Sequence, residues 1–310
     1  MFSVLEGVAM TVSEPVPHVV ERSMSESLTP GSAPRRRRRG ASFDDGLMGV
    51  ALLAGPANVI MQLANPGVGY GVVESRVESG RTDLHPIKRA RTTFTYLAVA
   101  TRGTDAQKAA FRRAVNKAHA QVYSTKESPV QYNAFDKNLQ LWVAACLYKG
   151  GVDVFRMFVG ELDDETADRH YRDSVTMGTT LQVPEEMWPA DRAAFDRYWE
   201  ESLEKLHIDD TVRSYLYPIA AGRPKKPVLP RAIQRRLDAT ALLITTGFLP
   251  QRFRDEMQLP WDAKRQKRFD RLIAVLRTVN DLLPSFLRQF PFNLLLKDLD
   301  WRIRTGRPLV

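Results

Sequence analysis

Apolar residues along this chain recur at helical rather than strand spacing. Between residues 104 and 123, Phe111, Val115, Ala118 and Val122 fall on one face of a helix. Thr104 precedes it as an N-cap and Asp105 stands in its first turn. His119 lies on the same stripe, four residues after Val115. The segment 86–102 opens with Pro86 and stops at Gly103, the punctuation of a helix start and end. Its stripe is Ile87, Ala90, Phe94, Leu97 and Ala98, and Arg89, Thr93 and Tyr96 form a neighbouring one. The segment 132–158 is apolar nearly all round, which predicts a buried central helix that Gly150-Gly151 bends or opens to another backbone. Further helical patterns cover 162–182, 190–206, 229–246, 250–258, 261–283 and 290–304, and Gly222 to Pro227 is the strongest loop between them. Alternating β-branched runs are nearly absent and no repeat recurs. The expected fold is all-α, a single multi-helix domain.

Charge changes that picture only at the N-terminus. The 310 residues hold 45 Lys+Arg against 36 Asp+Glu, a formal net charge of +9. Residues 1–40 carry +2 of it, mostly in the block Arg35 to Arg39, without apolar periodicity. They read as a disordered basic arm, and the boundaries expected are 1–43 for the arm and 44–310 for the folded domain. Elsewhere Lys264, Arg265, Lys267, Arg268 and Arg271 interleave with Phe269, Leu272, Ile273 and Leu276, the solvated face of an amphipathic helix. No aromatic interleaves with the arginine block, so nucleic acid is not an expected partner. Weak association with an anionic membrane is compatible with the charge. The block followed by the apolar stretch Leu47 to Leu63 has the order of a twin-arginine export signal. Asp44, Asp45, Pro56, Asn58 and Gln62 interrupt it, so the expected location is the cytoplasm, with export as the competing arrangement. No uninterrupted apolar run is long enough to span a bilayer.

Candidate chemistry is sparse. One Cys and five His exclude a disulfide framework and thiolate-rich metal sites. P-loop, dinucleotide-binding and H-E-x-x-H motifs are absent. Cys146, among Ala144, Ala145 and Leu147, reads as a small buried hydrophobe. His18 lies in the arm, His85 stands at the cap of the 86–102 helix, and His170 and His207 lie in polar surroundings and read as surface residues. His119 differs, because it sits on a buried stripe. It is either a core imidazole satisfied by a hydrogen bond or the axial ligand of a haem. Arg89 and Thr93, one turn apart, are either a surface cation and a helix-wall hydroxyl or two donors aimed at a ligand.

Four segments in order resemble the MpaB/Lcp-like oxygenases, the family of the latex-clearing rubber oxygenases and a fungal oxygenase of mycophenolic acid biosynthesis. They are Gly55-Pro56-Ala57 with Met61 to Val68, His85 to Thr93 with Tyr96-Leu97, Val115 to Val122, and Tyr132 to Asp136 with Leu141-Trp142-Val143. The resemblance covers roughly 45–305. It implies an all-helical, globin-reminiscent fold with one haem b buried between helices. His119 would be the proximal iron ligand. Arg89 and Thr93 would be cofactor-binding and catalytic residues on the distal side, with Thr92 where rubber oxygenases carry a lysine. Glu74 would be a base near the Arg/Thr helix. The implied reaction is oxidation of an apolar, isoprenoid or lipid-like substrate by dioxygen, with Arg89 polarising the oxygen unit. Two positions depart from the family: Asn65 and Ala144 stand where many members have His. Two alternatives remain beside this reading. One is a haem peroxygenase or peroxidase using hydrogen peroxide. The other is a non-enzymatic basic helical protein that binds nucleic acid or anionic membrane.

Overall fold

The structure, a computed structural model, describes residues 46–77, 85–223 and 229–310. The expected arm over 1–43 and most of the 222–227 loop lie outside them. A 3-10 turn, Gly49–Ala54, leads into α1 (Gly55–Leu63) and α2 (Pro66–Val73). Then follow α3 (Pro86–Arg102), α4 (Asp105–His119), α5 (Lys137–Phe158), α6 (Asp164–Asp173), α7 (Thr176–Thr179) and α8 (Arg192–Leu203). The chain continues through α9 (Asp210–Ala220), α10 (Arg231–Phe248), α11 (Gln251–Glu256), α12 (Ala263–Leu282), α13 (Ser285–Arg288) and α14 (Phe292–Thr305). The described residues contain no named strand, and one dominant buried cluster draws on most of these helices, so the fold is all-α and single-domain as expected.

Helix α5 is the central element. It buries Leu141, Trp142, Ala145, Cys146 and Phe158 among others, and packs on α1, α7, α12 and the 3-10 turn. The Cys146 thiol is fully buried, and burial pushes its pKa well up. The helix starts later than the apolar pattern suggests. Asp136 caps it by accepting from Asn138 N at 2.7 Å and Leu139 N at 3.2 Å. Upstream, Tyr132–Ala134 runs beside Val122–Ser124 as a short bridged turn, with Ser124 N to Tyr132 O and Ala134 N to Val122 O both 2.9 Å. That turn also ends α4 at His119, earlier than 123. Thr104 caps α4, and Gln107 returns the bond to complete a capping box.

Helix α5 runs unbroken through the glycine pair, which admits a side chain rather than a backbone. What approaches is Asn58: a Cβ on Gly150 would lie 2.3 Å from its Nδ2, which donates to Cys146 O at 2.6 Å. Two other expectations fail for local reasons. The pattern over 162–182 breaks at Ser174, whose Oγ donates to Tyr171 O at 2.6 Å, so α6 and α7 are separate. In α3 the apolar stripe is exposed at Ala90 and at Ile87, which is 86% exposed, half-buried at Phe94 and Leu97, and buried only at Ala98. Helix α9 has no counterpart among the sequence expectations. Pro218 in its last turns is a breaker signal, although Asp209 caps it and Val212, Leu216 and Ala220 face the core.

Helices α10 and α12 close on each other at Gly247, where an added Cβ would lie 2.2 Å from the Phe269 ring. Helix propensity favours Ala over Gly by about 1 kcal/mol, but a buried ring cannot yield by that much. Gly247→Ala is therefore expected to lower stability by about 2 kcal/mol, read from the urea midpoint.

Candidate functional site

A cavity of about 1280 Å³ lies between the 3-10 turn, α1, α3, α5 and α9, and extends to α6 and α8. Its inner wall is apolar, built from Ala51, Leu52, Phe94, Leu97, Ile219 and Phe292. Polar groups on that wall are few. Arg89 and Thr93 come from α3 at i and i+4, and Arg89 Nη1 donates to Thr93 Oγ1 at 3.0 Å. Tyr215 comes from α9. Its hydroxyl is buried with no hydrogen-bond partner among the described residues.

Arg89 is a half-buried cation on the cavity wall. Burial lowers its pKa, and the only opposing influence is Tyr215. No carboxylate among the described residues pairs with it. Arg254 provides the contrast. It is buried, yet its Nε donates to Thr246 O at 2.9 Å and its guanidinium lies 4.6 Å from the centre of the Trp261 ring. Arg254 is satisfied by its own protein, whereas Arg89 has only a hydroxyl.

His119, the last residue of α4, has a buried Nδ1 with no hydrogen-bond partner among the described residues. A core imidazole satisfied through that atom is therefore not what the structure contains. Burial, and then the charge of Arg89, push its pKa down to about 4, so the ring is neutral at neutral pH. Its edge contact is Phe135, with ring centres 6.3 Å apart. The ring is not part of the cavity wall; its electrostatic coupling to Arg89 links it to the site.

The sequence profile of the family described as "ER-bound oxygenase mpaB/B'/Rubber oxygenase, catalytic domain" matches residues 45–278. The chain belongs to the MpaB/Lcp oxygenases. Two uncharacterized mycobacterial proteins, Rv2237 of Mycobacterium tuberculosis and Mb2261 of Mycobacterium bovis, are each 52% identical over 259 residues, which is 84% of this chain and 100% of theirs. No solved structure matches.

The positions that the sequence resemblance marks as departures have structural work in this MpaB/Lcp family member. Asn65 caps α2 by accepting from Gly67 N at 3.0 Å. Ala144 is buried in the core face of α5. Thr92 donates to Lys88 O at 3.0 Å on the wall of α3. Glu74 is exposed, bonded to Ser128 Oγ at 2.6 Å and Tyr132 OH at 2.7 Å, and borders a separate hollow of about 160 Å³. It is not on the cavity wall and cannot serve there as a base.

His170 corrects the sequence reading most. It is 5% exposed, lines the cavity and sits edge-on to Phe155 at 5.3 Å. Helix α6 is polar overall, but Thr166, His170 and Tyr171 at i, i+4 and i+5 turn inward. Around it the wall is charged: Arg192 Nε pairs with Asp168 at 2.6 Å and Lys149 with Asp153 at 3.3 Å. Asp196, exposed at the rim, has its pKa raised by desolvation against the opposing pull of Lys149, Arg156 and Arg192. His207 is exposed as expected, 3.6 Å from Glu256, and His85 makes no side-chain cap to α3.

Two outcomes follow for the apoprotein. Between pH about 4 and the ordinary 6.5 of histidine, the unfolded chain binds a proton at His119 that the folded chain refuses. Stability is fully present above 6.5 and falls as pH drops through that window, by up to about 3 kcal/mol. His119→Phe removes that slope, read from urea midpoints at neutral and acidic pH. Arg89→Met, which removes a partly desolvated cation that has no carboxylate partner among the described residues, is expected to raise the urea midpoint at neutral pH.

Proposed function

We propose that this chain is a haem b-dependent oxygenase acting on an apolar, isoprenoid or lipid-like substrate, with His119 holding the iron and Arg89 and Thr93 serving the oxygen side. The observation that carries this reading is the buried Nδ1 of His119, which has no hydrogen-bond partner among the described residues, on a ring kept neutral by burial and by the charge of Arg89. A neutral imidazole offers the lone pair that an axial ligand needs, and haem requires only one such protein ligand in a greasy setting. Among the described residues no three His, Cys, Asp or Glu side chains gather, so bare-metal ligation of the usual count has no donor set there. The lone imidazole donor therefore suits haem, in the globin-reminiscent manner that the resemblance implies, and the cavity of about 1280 Å³ beside it, above the roughly 300–1,000 Å³ of ordinary ligand pockets, offers room for an apolar substrate.

Bound there, haem would supply an iron centre that activates dioxygen, or peroxide in the peroxygenase alternative. The chain's own groups supply the rest. Arg89 brings a positive charge and N–H donors to a wall where negative charge would develop on oxygen, and its weak solvation makes that charge more effective than it is in water. Thr93 fixes one Arg89 N–H through its oxygen, which leaves the hydroxyl proton free to donate. The Tyr215 hydroxyl is a further donor on the same wall. Phe94, Leu97 and Ile219 exclude water and bind the apolar part of a substrate.

Protein purified after expression with ample haem is expected to show a Soret band in oxidised and dithionite-reduced spectra, lost in His119→Ala. Arg89→Ala and Thr93→Ala should keep most of the band and lose turnover by about 100-fold or more. Wild-type protein that stays colourless and takes up no added haemin would overturn the proposal. Oxygen-18 in the product from labelled dioxygen, rather than from labelled peroxide, separates the oxygenase from the peroxygenase.

A further inference from the structure

The cavity lining is divided by chemistry. Leu47, Leu52, Phe94, Leu97 and Phe292 pack together as its apolar part. The part contributed by the second half of α5, by α6 and by α8 is charged. Lys149, Asp153 and Arg156 lie at i, i+4 and i+7 on one face of α5, and Arg192 and Asp196 lie one turn apart on α8. The charges of Lys149, Arg156 and Arg192 all bear on the Asp196 carboxylate, so the two faces meet on this part of the wall.

The signs of these charges are ordered by depth. Lys149, Arg156 and Arg192 are half-buried, whereas Glu161, Asp164 and Asp196 are exposed. Asp153 and Asp168, which pair with Lys149 and Arg192, are not on the lining. The cations keep donors to spare. Arg156 makes no hydrogen bond among the described residues, and its ion pair with Glu161 is 3.5 Å long. Arg192 spends Nε on Asp168 and Nη2 on Asp164, which leaves Nη1. Lys149 has three N–H groups and one carboxylate oxygen at 3.3 Å. Asp196 closes no ion pair among the described residues. A wholly apolar ligand would desolvate these cations and offer them no acceptor. A cationic head would meet three like charges, and a doubly charged anion would be repelled by Asp196. A single carboxylate at the end of an apolar chain suits both parts of the lining.

We propose that the cavity takes an apolar chain ending in a carboxylate, with the chain along Phe94 and Leu97 and the carboxylate held by Lys149, Arg156 and Arg192. As the substrate class of the oxygenase this rests on the reading above; as a binding property of the cavity it needs no haem. A head held at one point would present the same stretch of chain to Arg89 and Thr93 each time, which selects a position along a tail that has no polar group of its own.

The test is displacement of cis-parinaric acid, a fluorescent fatty acid, from full-length protein by sodium dodecanoate, dodecanol, dodecylamine or dodecyl phosphate, each below micelle formation. Dodecanoate should bind about tenfold more tightly than dodecanol, with the amine and the phosphate also weaker than dodecanoate. Arg156→Gln should weaken dodecanoate by about tenfold and leave dodecanol unchanged, and Arg156→Lys should restore part of the loss. The double variant Lys149→Met, Asp153→Asn, which removes a buried pair as a unit, should act like Arg156→Gln. The proposal is wrong if the protein does not bind parinarate, or if dodecanol, the amine or the phosphate binds as tightly as dodecanoate. It is equally wrong if both variants bind dodecanoate as the wild type does. Dodecanoate binding by colourless protein that takes up no haemin would remove the haem reading alone, whereas a haem spectrum without preference for the acid would remove this one alone.

Discussion

Helix α5 is buried on nearly every side, and the architecture follows from satisfying it. A buried helix leaves few places for polar atoms, so those it carries must be met by specific neighbours. Trp142 Nε1 donates to Gln62 O at 3.0 Å, and Asn58 donates to Cys146 O, so two contacts at different heights tie α1 to α5. Gln62 Nε2 in turn donates to Asn58 Oδ1 at 2.7 Å, which fixes the amide that fits over Gly150. With α1 held there, α3 and α9 cannot close fully onto α5, and the cavity is the space that remains.

Buried polar groups elsewhere are mostly met by the backbone. In the core, Thr245 finds Ala220 O at 2.9 Å and Tyr171 finds Pro189 O at 2.5 Å. Tyr215 OH on the cavity wall and His119 Nδ1 beyond it have no partner among the described residues, and the same holds for Thr180 Oγ1 and Trp188 Nε1 in the core. Each unmade bond costs about 1–3 kcal/mol, a large share of the stability of an ordinary domain.

What was legible in the sequence was whatever periodicity carries. The Thr104 cap, the span of α3 and the buried face of α12 at Phe269 and Ile273 follow from local spacing. Arg89 and Thr93 were recognisable because a helix places i and i+4 together. What spacing could not give was burial in polar or interrupted segments. His170 hides in a charged helix whose inward stripe is only three residues wide. Tyr215 sits on a helix obscured by Pro218, though the Asp209 cap with Val212, Leu216 and Ala220 could have located it. Glu74 shows the reverse error: closeness in sequence to a functional helix placed it at a site it does not touch.

The lone thiol has a practical consequence. Cys146 is fully enclosed on the helix that everything else is built around, and burial keeps it protonated. It is therefore inert while the domain stays closed, and it offers no stray crosslink under oxidising conditions. Any event that lets a thiol reagent reach it must separate α5 from its neighbours, so the rate of its labelling is a clock for the opening of the core, built into the native chain without an added probe.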